Sequence, residues 1–120
     1  MPCLKILTNI SSYKIPRDFV DKIIPVLAKA VKKDVNKFIC VITGDCQMSF
    51  GGESSEPSAI ATLESIGNLG PKENREIVRE LSKYLEKELK VKPDRFFLTF
   101  YDLLPYNVAK GGVTVEEIGA

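Results

Sequence analysis

Val35-Asn36-Lys37-Phe38 aligns with Pro93-Asp94-Arg95-Phe96, and around that match the order strand, helix, strand runs twice with a period of roughly 58 residues. This duplication limits the fold more than any other feature of the chain. Each unit carries one amphipathic helix whose apolar stripe has to be buried. The repeat therefore predicts an α/β (α+β) domain in which a four-stranded mixed sheet holds both helices on one face, with short strands at its edges. Residues 1–120 read as one domain, with halves at about 1–58 and 59–120 and no linker between them.

In the first half, Cys3 to Thr8 reads as a strand and Pro16 opens a helix running to about Lys32, with Phe19, Ile23, Leu27 and Ala30 at helical spacing. Pro25 falls inside that run and is expected to kink it or weaken its middle. Phe38 to Thr43 is the returning strand, and Gln47 to Phe50 a short extended piece before Gly51-Gly52. In the second half, Ala59 to Ile66 is a strand and Pro71 opens a helix with Ile77, Val78, Leu81, Tyr84, Leu85 and Leu89 as its buried stripe. Its other face mixes signs, with Glu76–Arg79, Glu80–Lys83 and Glu86–Lys90 spaced as supporting pairs. Phe96 to Tyr101 is the last long strand, and Asn107 to Ala109 and Val113 to Val115 are edge pieces flanking Gly111-Gly112. Two helices cover only one face of such a sheet. Leu4, Ile6, Ile42 and Leu98 cannot then all be hidden, and a partner subunit is expected on the open face.

Composition removes several classes of function. Seventeen Lys and Arg against sixteen Asp and Glu leave a formal charge of +1, so no nucleic-acid or anionic-membrane partner is expected from bulk charge. There is no histidine, so any proton transfer near neutral pH needs another titrating group. Cys3, Cys40 and Cys46 are odd in number and lack a C-x-x-C pair, and they read as small hydrophobes rather than a disulfide or zinc framework. Lys5 interrupts any amino-terminal apolar run and no stretch reaches the roughly 18 residues of a membrane span, which predicts a cytoplasmic protein.

Across nearly the whole chain a set of fragments occurs in order: Met1-Pro2, a strand ending Thr8-Asn9, Phe50-Gly51-Gly52 with Ser55-Glu56-Pro57, Ser65-Ile66-Gly67, Asn74-Arg75, and Pro93-Asp94-Arg95 leading to Tyr101-Asp102. In this the chain resembles the macrophage migration inhibitory factor family, which includes D-dopachrome tautomerase, within the tautomerase superfamily. The resemblance implies a homotrimer with its sheets lining a central channel and an active site at each subunit boundary. It also implies a keto–enol tautomerase acting on a small aromatic keto acid or a dopachrome-like compound, with no cofactor. A cytokine role is implied beside it, through a cell-surface receptor after secretion without a signal peptide. The competing expectation is a non-catalytic partner-binding protein with vestigial tautomerase activity, which a Pro2→Gly variant that keeps full signalling would favour.

The chemistry of the residues supports a base at Pro2. Removal of Met1 leaves proline as the amino terminus, and an α-amino group with an ordinary pKa of about 7.7–8.0 loses its proton more easily when buried or near a cation. The ring also fixes the direction of the nitrogen lone pair. Lys33 falls where the family has its active-site lysine; a cation there can hold a substrate carboxylate and stabilise an enolate. Read by spacing alone, Lys32, Lys33 and Lys37 are solvated helix-end cations. Lys33 is assigned to the site, and Lys32 and Lys37 to solvent. Ile66 matches the residue whose backbone faces the pocket floor, with plain strand core the equal reading of its side chain.

Where the family has a tyrosine and an asparagine contributed across the subunit boundary, this chain has Phe97 and Thr99. The aromatic rim near the carboxyl end becomes Lys110 and Val115, which adds positive charge and favours substrates with a carboxylate. Ser58-Ala59-Ile60-Ala61 replaces a C-x-x-C motif, so thiol oxidoreductase activity is not expected.

Overall fold

A computed structural model describes residues 1–119; Ala120, the end of the expected domain and of its second half, lies outside the described residues. Two strand–helix–strand units follow one another: β1 (Cys3–Thr8), α1 (Phe19–Val31) and β2 (Ile39–Thr43), then β3 (Ala59–Ser65), α2 (Pro71–Leu89) and β4 (Phe96–Asp102). The strands form one mixed sheet in the order β2-β1-β3-β4, parallel within each unit and antiparallel where β1 meets β3. The repeat extends to the turns. Each helix ends on a lysine in the left-handed conformation, Lys32 at φ 62° and Lys90 at φ 61°. Each is followed by one turn of 3₁₀ helix, Val35–Lys37 and Pro93–Arg95, before the chain re-enters the sheet.

Spacing explains both helices. In α2, Ile77, Leu81, Leu85 and Leu89 recur at every fourth position and are buried, while Val78 and Tyr84 flank the stripe half-buried. Pro71 occupies the first turn, where its missing N–H costs nothing. Of the supporting pairs expected on its outer face, Glu80–Lys83 closes at 3.7 Å, and Glu76–Arg79 and Glu86–Lys90 are not among the ion pairs of the described residues. Helix α1 starts at Phe19 rather than Pro16, because Phe19 N–H closes a turn onto the Pro16 carbonyl first. Its stripe is Phe19, Ile23, Leu27 and Val31; Val31, four residues past Leu27, takes the buried place expected of Ala30. Pro25 does not interrupt the helix. It lies on the exposed side, where solvent can serve the carbonyl that proline leaves without a donor.

These stripes meet Leu4 and Ile6 of β1 and Ala59, Ala61 and Leu63 of β3 in one core, with Phe19 against Tyr84 at 5.4 Å between ring centroids. Leu4 and Ile6 are fully buried, and Ile42 and Leu98 pack half-buried on the same core. The residues expected to spill onto the open face are therefore on the helix side. The register places the opposite parity on the open face, with Leu7, Ile60 and Phe97 in one row and Lys5, Thr62 and Thr99 in the next.

The peripheral pieces depart from expectation. Gln47 to Phe50 forms no strand; Phe50 and Glu53 only exchange backbone hydrogen bonds at 2.9 and 3.2 Å around Gly51-Gly52. At the carboxyl end β5 (Ala109–Lys110) and β6 (Val113–Thr114) pair with each other rather than with the sheet, and Asn107 belongs to a 3₁₀ turn. Gly111 and Gly112, at φ 67° and 85°, supply the two positive φ angles that so tight a hairpin requires. The chain then folds back, Val115 N–H donating to the Val108 carbonyl at 2.8 Å, and Val115 is buried. Among the described residues no helix is long and apolar enough to cross a membrane.

Candidate active site

The residue that precedes β1 is already enclosed. Pro2 is buried and its carbonyl accepts the N–H of Ile39 at 2.9 Å, which sets the amino terminus beside the chain returning from α1. A cavity of about 360 Å³ opens there, lined by Met1, Pro2, Lys32, Lys33, Asp34, Lys37, Ile66 and Val115. With Met1 attached the Pro2 nitrogen is an amide, and the free amine belongs to the half-buried Met1. Burial, and after it the charges of Lys33, Lys37 and Lys110, hold that amine below its ordinary pKa of 8.0. Removing Met1 carries the amine one residue inward, onto Pro2, beside the same lysines.

The end of α1 aims Lys33 at this cavity. The N–H groups of Lys32 and Lys33 both donate to the Ala28 carbonyl, at 2.9 and 3.2 Å, and the left-handed Lys32 turns the chain off the helix axis. Lys33 then reaches across, its Nζ donating to the Ile66 carbonyl at 2.7 Å. An ammonium has three donors, so two remain for a ligand. Burial, then the charge of Lys37, pull the Lys33 pKa down, and Asp102 opposes them. Ile66 lies one residue past the end of β3, so its carbonyl is not used by the sheet.

The loop carrying Ile66 is braced on both sides. Gly67 N–H donates to Asp102 Oδ1 at 3.0 Å and Ser65 Oγ donates to the Gly67 carbonyl at 2.9 Å. Asn68 Nδ2 donates to the carbonyls of Val31 and Lys32, at 2.9 and 3.2 Å, closing the end of α1. Asn68 and Asp102 are thus positioning residues that sequence reasoning missed. The only available signal was that asparagine tolerates the left-handed conformation, which Asn68 adopts at φ 63°.

Of the expected site residues, Pro2, Lys33 and Ile66 come together, and Val115 joins them. Lys32 and Lys37 are exposed, as expected of solvated cations, and both also line the rim of the cavity, because the turn after α1 wraps round the amino terminus. Lys110 is exposed on β5, outside the lining, and close enough for its charge to act on the Met1 amine. Phe97 and Thr99 lie elsewhere, on the open sheet face in a hollow of about 340 Å³ with Lys5, Leu7, Ile60, Ala61 and Thr62. One chain does not bring them to Pro2. The larger hollow of about 630 Å³ between α1 and α2 is a mixed-charge surface groove, including Lys29, Arg79, Glu76 and Glu80. Burial, reinforced by nearby Cys3, pushes the Cys40 thiol up to about 12, which makes it a poor nucleophile. Among the described residues no cluster of three or more Cys, Asp or Glu is placed to hold a metal.

Residues 1–116 match the family model described as macrophage migration inhibitory factor. The chain is 37% identical over 114 residues to the macrophage migration inhibitory factor homolog of Brugia malayi, covering 95% of this chain and 98% of that protein. It is 33% identical, with the same coverage, to the macrophage migration inhibitory factor of Xenopus tropicalis. The solved structure of the macrophage migration inhibitory factor from Trichinella spiralis superposes with a TM-score of 0.89 at 29% identity, covering 93% of this chain and 98% of that one.

Proposed function

The chain belongs to the macrophage migration inhibitory factor family, within the tautomerase superfamily, and on that premise we propose that it is a keto–enol tautomerase with Pro2 as its base. Its substrates are phenylpyruvate- or dopachrome-like carbonyl compounds. The observation that carries the proposal is the burial of Pro2 beside Lys33, in surroundings that lower the pKa of an amine. After loss of Met1, the neutral proline nitrogen takes a proton from the carbon next to the ketone. The electron pair moves onto the carbonyl oxygen as an enolate, and the ammonium of Lys33, anchored on the Ile66 carbonyl, holds that oxygen or the adjacent carboxylate. Protonated Pro2 then returns the proton at the other site of the tautomer. The transfer needs neither a metal nor an organic cofactor.

The same proposal includes a homotrimer. The uncovered apolar row on the sheet supports assembly, and Phe97 and Thr99 would reach the cavity of a neighbouring subunit, since they do not reach that of their own.

An alanine inserted between Met1 and Pro2 tests the base directly, with processing followed by mass spectrometry. The inserted residue turns the proline nitrogen into an amide, so phenylpyruvate turnover should fall to background while circular dichroism stays unchanged. Undiminished turnover by a chain verified to carry a residue before Pro2 would remove the proline from the mechanism.

A further inference from the structure

The cavity carries more positive charge than one carboxylate can use. Lys32, Lys33 and Lys37 stand on its wall against the single acid Asp34, and among the described residues none of these groups belongs to an ion pair. Lys33 is committed to the Ile66 carbonyl and to whatever sits beside Pro2. Lys37 is held in place by its backbone, at the end of the turn Val35–Lys37, with its N–H on the Asp34 carbonyl at 3.0 Å. Its exposed side chain stands at the mouth, and its charge acts both on the amino-terminal amine and on Lys33. Lys110 adds a further cation acting on the same amine. Cations gathered this closely repel one another, and their net charge falls when a second anionic group joins the first.

Building on the tautomerase reading, we propose that the substrate of this site is a doubly anionic keto acid, with the carboxylate next to its ketone on Lys33 and a second carboxylate at the mouth of the cavity on Lys37. A cavity of about 360 Å³ is at the small end of ligand pockets, which suits a short diacid or a single ring bearing both groups. Lys37 is then a specificity residue and takes no part in moving the proton.

The test uses an unreactive probe, so that it does not depend on catalysis. Terephthalate carries two carboxylates; its monoamide has the same size and shape and carries one. Titration calorimetry on the Met1-processed protein at low salt should show terephthalate binding about threefold or more tightly than the monoamide, a difference that added salt reduces. In Lys37→Gln the ratio should fall to about one, whereas Lys87→Gln, which removes the same charge from the far end of α2, should leave it unchanged. A ratio near one in the wild type, a ratio unaltered by Lys37→Gln, an equal fall in Lys87→Gln, or no measurable binding of terephthalate at millimolar concentration would each overturn the inference. Phenylpyruvate turnover, measured alongside, judges the base at Pro2 separately. Turnover without diacid preference rejects the second anion site alone, and diacid preference without turnover rejects the base alone.

Discussion

Lys33 and Pro2 illustrate how far a single residue can be read. A motif-level likeness finds both, and the structure places them on one cavity, where elementary electrostatics supplies the roles proposed for them. Charge alone, however, could not separate Lys33 from Lys32 and Lys37. Which lysine faces a cavity depends on one left-handed residue, Lys32 at φ 62°, and on how the chain turns there, which helical spacing does not encode. Asn68 was harder still, because its two hydrogen bonds go to carbonyls at the end of a helix far away in sequence. The lowered amine pKa at the amino terminus leads to a prediction at this scale. Burial and neighbouring cations disfavour the protonated amine, so its pKa falls, the neutral base persists to lower pH, and activity rises as pH increases through that lowered value. The ascending limb of kcat/KM for phenylpyruvate should therefore centre below the pKa titrated for the amino-terminal proline of a short unstructured peptide of the same sequence, the direction in which these surroundings shift the Met1 amine. Lys33→Gln should lower the rate and move the limb upward by removing one of the cations. A limb that stays in place in that variant would show that Lys33 does not act on the base.

At the scale of elements, the long periodic segments were legible because their spacing is redundant: α2 repeats its buried leucines often enough that one ambiguous position does not matter. Short pieces lack that redundancy. The hairpin β5–β6 was foreseen as two edge strands, and which partner a two-residue strand chooses is decided by the turn between them. The placement of segment 50–57 was harder to read for another reason: besides its own contacts between Phe50, Glu53 and Ser55, it is held by Asn9 and by a side chain from β4's approach. Arg95 donates from Nε to the Pro57 carbonyl at 3.0 Å and from Nη2 to those of Glu53 and Glu56 at 3.0 and 3.2 Å, while its guanidinium lies 5.4 Å from the Phe50 ring centre. The planar fork presents its donors on separate nitrogens, which lets Nε and Nη2 reach carbonyls too far apart for one ammonium to serve with the same geometry. Arg95→Lys keeps the charge and loses the fork, so it should cost about 1–2 kcal/mol in denaturant unfolding and make residues 50–57 more sensitive to protease. A lysine variant as stable and as protease-resistant as the parent would reduce the clamp to simple charge.

For the whole molecule, alternation in the strands shows that one face of the sheet must stay uncovered, and it does not show which. Both parities of β1 offer apolar residues, Leu4 and Ile6 on one side and Leu7 on the other, so naming Leu4 and Ile6 as the surplus was an error of phase; the principle that two helices cover one face holds. The surplus is the row of Leu7, Ile60 and Phe97, 43%, 39% and 61% exposed. Phe97 and Thr99 lie on this same face, so the proposed trimer and the proposed sharing of the site stand or fall on one surface. Ile60 allows the two to be tested together, because it sits mid-row between Leu7 and Phe97, points away from the helices, and is not part of the cavity at Pro2. In a monomer, Ile60→Lys places an ammonium in water at little cost. In an assembly that covers the row, it buries a charge without a partner, at several kcal/mol per subunit. Light scattering should therefore give a mass near three times 13.3 kDa for the parent and near 13.3 kDa for Ile60→Lys, with unchanged circular dichroism. Phenylpyruvate turnover should fall with the assembly, although Ile60 does not line the Pro2 cavity of its own chain. A parent that stays monomeric at micromolar concentration would contradict the covered face, and a monomeric variant with full turnover would show that each subunit's site is complete without its neighbour.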